Sequence, residues 1–106
     1  MVTEEFQSKI SFEKFELDSA EMETAKKIVD KYAEKLMRLI PRYEEIRLEM
    51  KVRKKGKNNH FQIKGLVFFQ GVRVASEDQD MNPFVAIDSV MKKMLVEIEH
   101  KANKIK

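Results

Sequence analysis

The chain has 106 residues, of which 42% are hydrophobic and 37% charged, and its formal net charge is +3. This composition is typical of one globular domain over residues 1–106, long enough to form a core without disulfides or a structural metal, and residues 1–8 are expected to form a flexible terminus. Since the sequence contains no cysteine, disulfides, a zinc–thiolate site and a thiol nucleophile are excluded, and a reducing, cytoplasmic location is expected. No run of about 20 apolar residues predicts a membrane span.

Two elements are predicted before Pro41. The segment Ile10–Leu17 alternates apolar and polar residues at its start and predicts a first strand. The segment Asp18–Glu21 has the spacing of a capping box, so a long helix should start there and end before the proline. The apolar side chains that recur at helical spacing predict its core face: Met22, Ala25, Val29, Tyr32, Leu36, Leu39 and Ile40.

After Pro41 the hydrophobic period changes from about 3.6 residues to 2. The segment Ile46–Arg53 alternates apolar and charged residues and predicts a second strand with one buried face. Residues 54–59 include Gly56 and two asparagines and predict a turn. A third strand follows, and its predicted core face consists of Phe61, Ile63, Val67 and Phe69.

Gln70–Gly71 predicts a tight hairpin into a fourth strand around Val72 and Val74. Residues 76–81 are expected to form a polar loop, and Asn82–Pro83 predicts the start of a second helix. Its predicted core face consists of Phe84, Ile87, Met91, Met94, Leu95 and Ile98. The order β-α-β-β-β-α predicts an α+β fold with a four-stranded mixed sheet, parallel first and second strands, and two helices packed on one face.

The predicted first helix carries a basic stripe opposite its apolar face. At about 100° per residue, these cations fall within a sector of about 80°. They are Lys27, Lys31, Lys35, Arg38 and, if the helix reaches it, Arg42. Like charges four residues apart each cost roughly a few tenths of a kcal/mol, so a helix selected for stability alone would mix signs. The stripe therefore favours a polyanion-binding surface over the alternative of an ordinary solvated face.

Other polar clusters are weaker. The segment 51–64 has cations without acids, and the second helix ends in basic residues, but both patterns are also typical of solvated surfaces. Glu77, Asp78 and Asp80 precede the second helix, where the helix dipole explains them more simply than a metal or acid–base site. His60 and His100 have no metal-ligand spacing, and no phosphate-binding glycine motif is present. We expect no catalytic residue, no metal, no cofactor, no small-molecule substrate and no enzymatic activity.

The segment Phe84–Asp88, followed by Lys93, Met94 and a basic end, resembles the second helix of the ribosome hibernation-promoting factor and ribosome-associated inhibitor family. The hairpin Phe69–Ser76, the lysine-rich first helix and the element order are also similar, so the resemblance covers roughly residues 10–104. This sequence departs from the family at several places in and before the second helix, namely Asn82, Pro83, Val96, His100 and Ala102. It stops at Lys106 without the C-terminal dimerising domain of the long members, so we expect the short form.

The resemblance implies a stress-response factor, monomeric off the ribosome, that lies in the decoding region of the small ribosomal subunit. There it would contact ribosomal RNA through both helices and block mRNA and tRNA. The residues matching the family's basic helices are Lys27, Lys31, Lys35, Arg38 and Arg42 in the first and Lys93, His100, Lys101 and Lys104 in the second. Candidates for additional RNA contacts are Lys54, Lys55, Lys57 and Lys92.

Two alternatives remain open. A double-stranded-RNA-binding domain shares the α-β-β-β-α order, but Asn82–Phe84 stands where its lysine-rich segment would open the last helix. A protein–protein regulatory module could instead use the sheet face that carries Leu66 and Phe68. Both side chains are predicted to lie opposite the core face of the third strand.

Overall fold

The structure, a computed structural model, describes the backbone of residues 9–40 and 43–105 and side chains as far as Lys101. The predicted flexible terminus 1–8 and the Arg42 position lie outside this range. The elements are β1 (Lys9–Glu13), α1 (Ser19–Leu39), β2 (Glu45–Lys55), β3 (Asn58–Phe69), β4 (Val72–Asp80) and α2 (Pro83–Ile105). This order confirms the predicted β-α-β-β-β-α arrangement.

The strands form one sheet in the order β1-β2-β3-β4. β1 is parallel to β2, with Phe12 opposite Leu48, whereas the other neighbours are antiparallel. Both helices cover one face, as predicted. Buried side chains from β2, β3, β4 and both helices form a single core, which includes Ile46, Leu48, Ile63, Val67, Val74, Leu36 and Met91. The opposite face, here called the open face, carries the charged side chains of β2 other than Lys54.

β1 ends at Glu13, so the predicted strand to Leu17 was too long. Lys14 adopts a φ of 59°, which turns the chain out of the strand. Phe15 then packs edge-to-face against Phe12, with ring centroids 5.2 Å apart. On a continuous strand the rings of Phe12 and Phe15 would point to opposite faces of the sheet. The turn at Lys14 brings them together, so Phe15 packs at the edge of the core from a loop.

α1 begins at the predicted capping box. The backbone N–H of Glu21 donates to the Asp18 carboxylate at 2.8 Å, and the Asp18 N–H donates to the Glu21 carboxylate at 3.0 Å. These bonds satisfy two of the free N–H groups at the helix start. The buried face contains Ala25, Val29, Tyr32 and Leu36, as predicted, with Ala33 added.

The predicted turn at residues 54–59 was too long. Only Gly56 and Lys57 separate β2 from β3, and Asn58 and Asn59 pair with Lys55 and Lys54 in the ladder. Gly56 has a φ of 64°, a conformation that glycine adopts without steric cost and that permits a two-residue turn.

The second hairpin confirms its prediction. Gln70 and Gly71 have φ values of 49° and 76°, as the two central residues of a type I′ turn require. β4 then continues to Asp80, so the predicted polar loop at residues 76–81 was wrong. Its polar side chains alternate between exposed and half-buried positions, because pairing with β3 imposes the strand period on them.

α2 begins at the predicted cap, where the N–H of Phe84 donates to the Asn82 side-chain oxygen at 2.9 Å. The helix lies very close to β3 at Gly65. A Cβ placed on this glycine would lie 2.6 Å from Val90 Cγ1 and 2.7 Å from Met94 Cε. The missing side chain therefore sets how closely α2 packs on the sheet.

Candidate nucleic-acid interface

The basic stripe of α1 lies on the surface, as the sequence predicts. Lys27, Lys31, Lys35 and Arg38 are all exposed and lie on the side of the helix away from the core. At about 1.5 Å per residue, they extend along roughly 16 Å of the helix. None of them forms an ion pair with a carboxylate of the residues that the structure describes. Their charge is thus not neutralised within that part of the protein, and their N–H donors remain available to a partner.

Tyr32 lies at the margin of this stripe and joins the two helices. Its hydroxyl donates to Asp88 Oδ1 of α2 at 2.8 Å, and the residue is only 7% exposed. Burial, followed by the hydrogen bond to Asp88 and the charge of that carboxylate, raises the pKa of Tyr32 to about 12. The hydroxyl therefore remains a donor at neutral pH.

The ring of Tyr32 also contacts the basic stripe. The ammonium groups of Lys31 and Lys35 lie 6.0 and 5.3 Å from its centroid, within range for a cation–π attraction. These contacts hold two lysine side chains beside the helix without neutralising their charge. Sequence periodicity placed Tyr32 in the core but did not indicate either its partner in α2 or its contacts with the lysines.

On α2, the predicted site residues have different surroundings. The Lys93 ammonium lies 3.2 Å from Asp78 Oδ2 and donates to the backbone carbonyl of Glu77 at 3.4 Å. Ser89 donates a hydrogen bond to the same Asp78 carboxylate. The bond from Ser89, then the N–H of Gln79 and the interaction with Lys93, hold the pKa of Asp78 below its ordinary value. Lys93 is therefore partly neutralised by β4.

The remaining α2 candidates have no such carboxylate among the described residues. Lys92 and His100 are exposed and Lys101 is half-buried, whereas the side chain of Lys104 lies outside the described part. Asp78 and Lys93 are separated by fifteen positions in sequence. Only the pairing of β4 with β3, which orients Asp78 toward α2, could have indicated that they meet.

The open face of the sheet presents a charged network around Arg47, which the sequence interpretation missed. Its guanidinium donates two hydrogen bonds to Glu45, each 3.2 Å long, and lies 3.8 Å from Glu13. The hydrogen bond from Arg47 is the main reason why the pKa of Glu45 is lowered. Arg47 also lies over the ring of Phe68 at 5.5 Å. Phe68 and Leu66 do lie opposite the core, as predicted, but Arg47 partly covers the aromatic ring.

The acidic residues that precede α2 do not gather into one site. Glu77 is exposed on the open face, where it accepts a hydrogen bond from the Gln62 amide at 3.1 Å, whereas Asp78 faces α2. Within residues 9–40 and 43–101, no group of three potential metal-ligating side chains comes together. In the same part of the chain, neither helix is long and apolar enough to cross a membrane.

No protein-family model matches the sequence, and no curated protein matches it. Solved structures share its architecture, and two of them illustrate the match. A ribosomal subunit interface protein from Coxiella burnetii has a TM-score of 0.67 at 13% identity, over 92% of this chain and 99% of that one. The N-terminal domain of Protein Y from Thermus thermophilus has a TM-score of 0.54 at 18% identity, over 87% of this chain and 93% of that one. The chain has the fold of the hibernation-promoting factor family. The resemblance predicted from the sequence is thereby confirmed at the level of the fold.

Proposed function

We propose that this protein binds the small ribosomal subunit and inhibits translation as a hibernation factor of the short type. In this proposal it acts in the cytoplasm under stress and is monomeric off the ribosome. It lies in the decoding region, where it contacts ribosomal RNA and keeps mRNA and tRNA out. The fold it shares with a ribosomal subunit interface protein supports ribosome binding.

The observation that carries the RNA part of the proposal is the unneutralised basic stripe of α1. Lys31, Lys35 and Arg38 follow one another along the exposed side of a regular helix. Each phosphate that such a cation neutralises releases counterions, so the affinity is largely independent of sequence and falls as salt rises. Arg42 would extend the stripe on the basis of sequence position alone.

α2 makes a smaller contribution in this proposal. His100, Lys101 and Lys104 are assigned RNA contacts on the basis of the family resemblance, and Lys92 is a candidate for an additional contact. Lys93 has to leave Asp78, or to share its donors with this carboxylate, before it contacts a phosphate. Such an exchange gains less free energy than a contact made by a free cation, since an existing interaction is given up.

Charge reversal of α1 tests the proposal. The variant Lys27→Glu/Lys31→Glu/Lys35→Glu should lose ribosome affinity on the order of 100-fold at physiological salt, because attraction to phosphates becomes repulsion. Cosedimentation with purified small subunits measures the loss, and circular dichroism checks that the helices remain folded. If this variant cosediments as well as the parent, the RNA-binding proposal is wrong.

The open face supplies a matched control. Lys9→Glu/Lys64→Glu/Arg73→Glu changes the net charge equally at exposed strand positions and should leave cosedimentation nearly unchanged. Equal losses from both triple variants would mean that net charge, and not the α1 surface, governs binding. Leu66→Asp tests the protein–protein alternative, which predicts loss of a protein partner while RNA binding is retained.

A further inference from the structure

The hairpin between β2 and β3 extends beyond the rest of the sheet. β1 pairs with β2 only as far as Glu49, and β4 pairs with β3 only from Phe61 onward. Residues Arg53–His60, here called the basic arm, consequently have ladder partners only in one another. The arm is a two-stranded ribbon with neither neighbouring strand beside it.

The arm is basic on both faces and at its turn. Arg53 and Lys55 share the face that continues the open face, Lys54 lies on the other face, and Lys57 lies in the turn. The residues that oppose these cations across the ladder are His60, Asn59 and Asn58, so none of the paired positions holds an acid. No carboxylate of the described residues forms an ion pair with the arm. The cations do not serve the stability of the hairpin, because cross-strand charge pairs are stabilising only when the charges are opposite.

Charged side chains along a strand, lysine above all, protect its edge from pairing with another strand. Protection of an edge does not require the number of cations found in the arm, which lie on both faces of the ribbon and in its turn. Its exposed side chains from Arg53 to Asn59 leave every one of these charges accessible to a partner. This distribution fits a polyanion that can contact the ribbon from more than one side.

The arm and the basic end of α1 lie at opposite ends of the sheet. α1 starts after β1 ends, beside the middle of β2, and runs back so that Arg38 lies near the beginning of β2. α2 also starts at the arm end of the sheet, because it follows Asp80, which pairs with Phe61 at the base of the arm. β2 separates the two ends by roughly 33 Å between Glu45 and Lys55, at about 3.3 Å per residue. One short stretch of RNA backbone that contacts Lys35 and Arg38 cannot also contact the arm without bending around the sheet.

We infer that the basic arm is a second phosphate-binding element, which contacts an RNA segment different from the one bound by α1, so that the protein bridges two segments. This inference rests on the proposed function. The chemistry that the arm recognises is the phosphate backbone, because all of its charged side chains are cations and the phosphates carry the negative charge of RNA. Binding at the arm is therefore independent of sequence and sensitive to salt.

The test compares three triple variants of the full chain. The arm variant is Lys54→Gln/Lys55→Gln/Lys57→Gln, the α1 variant is Lys31→Gln/Lys35→Gln/Arg38→Gln, and the open-face control is Lys9→Gln/Lys64→Gln/Arg73→Gln. Affinity for purified small ribosomal subunits is measured at several salt concentrations. The arm and α1 variants should each reduce the slope of log affinity against log salt, by about 0.7 to 0.9 for every phosphate that the protein no longer neutralises. The control should keep the parent slope.

The two hypotheses fail differently in this experiment. Parent-like binding by the arm variant, with weakened binding by the α1 variant, overturns the bridging inference and leaves the proposed function in place. Parent-like binding by the α1 variant overturns the proposed function and, with it, the bridging inference. When the arm and α1 changes are combined, their fold-losses should multiply, since the sites are far apart and share no partner.

A second measurement tests the bridge directly. A short RNA duplex of about 7 base pairs is clearly shorter than the roughly 33 Å that separates the arm from the end of α1. At low salt, native mass spectrometry should detect two duplexes on the parent and one on either the arm variant or the α1 variant. A single duplex on the parent, unaffected by the arm changes, would refute the second site.

Discussion

Lysines of α1 and α2 differ in whether a neighbouring carboxylate neutralises their charge. Lys31 and Lys35 lie against the uncharged ring of Tyr32, whereas Lys93 meets the carboxylate of Asp78. A cation beside an aromatic ring keeps its full charge for a partner, whereas a cation beside a carboxylate is partly neutralised before any partner binds. Two lysine-rich helices of similar sequence pattern can therefore contribute unequally to the same surface.

The largest expected effect is on the salt dependence of ribosome binding. We expect Lys31→Gln/Lys35→Gln/Arg38→Gln to flatten the slope of log affinity against log salt by roughly 2 to 3. Lys92→Gln/Lys93→Gln/Lys101→Gln removes the same charge from α2 but should flatten it by less, because Lys93 is already paired. Filter binding to small subunits over a salt series measures both slopes. Equal flattening would show that the pair with Asp78 does not withhold Lys93 from RNA.

Gly65→Ala tests whether the missing side chain at this position of β3 is what allows α2 to pack closely on the sheet. The new methyl group would meet Val90 Cγ1 at 2.6 Å, so α2 must shift or repack. We expect a loss of about 1–3 kcal/mol in the free energy of unfolding, the usual cost of overpacking a core. Urea denaturation measures it. Ser76→Ala, at the position paired with Gly65 in β4, is the control and should change stability by less than about 0.5 kcal/mol.

Tyr32→Phe separates the ring contacts of the basic stripe from the hydrogen bond between the helices. The ring stays beside the lysines, but Asp88 loses its donor, and we expect a loss of about 0.5–1.5 kcal/mol in the free energy of unfolding. Ribosome affinity should remain close to that of the parent. A large loss of affinity without a loss of stability would instead assign the hydroxyl to the binding surface.

The difference in stability between the parent and Tyr32→Phe should depend on pH in the alkaline range. The folded-state pKa of Tyr32 is about 12, above its ordinary value of 10.0. Its contribution to stability is therefore complete below about pH 10 and disappears as the pH rises through 12. The parent should lose its advantage over Tyr32→Phe in this window, as denaturation at a series of pH values would detect. A constant difference between the two proteins would contradict the assignment.

The smallest expected effect concerns the ion pair of α2. Lys93 is 53% exposed and Asp78 33% exposed at the side chain, so Lys93→Gln should lower stability by at most about 1 kcal/mol. Lys31→Gln, which breaks no ion pair, should lower it by less. The pKa of Asp78 is lowered in the folded protein. The interactions of its carboxylate therefore stabilise the fold at pH values above the ordinary pKa of aspartate, and this stabilisation is lost as the pH falls through the lowered pKa. Ser89→Ala should weaken this acid dependence more than Lys93→Gln, because the hydroxyl is the larger cause of the shift. Urea denaturation at a series of acidic pH values measures both variants.

Features that depend on neighbouring residues could be predicted from the sequence. The capping box at Asp18, the Gln70–Gly71 turn and the Asn82 cap form between residues a few positions apart. The α1 basic stripe belongs to the same class, since helical geometry alone places cations four residues apart on one side. These local rules, with the change of hydrophobic period, were enough to predict the element order and both helix core faces.

The extent of the strands depended on tertiary structure. β4 continues through polar residues because β3 offers it a ladder partner at each position, and β1 stops where Phe15 can pack on Phe12. The exposed length of the basic arm follows from where both neighbouring strands end, which no property of residues 53–60 themselves indicates. Pairing energies between distant segments, and not local preference, decided these boundaries.

Tertiary structure also decided which cations are free to bind a partner. The sequence by itself placed Lys31 and Lys93 on helix surfaces, where their charges look equivalent. Only the packing of α2 against β3, made possible by Gly65, brings Lys93 to Asp78, whereas no described carboxylate reaches Lys31. Helical periodicity fixes the direction of a side chain on its own helix, but the charge that it meets there comes from another part of the chain.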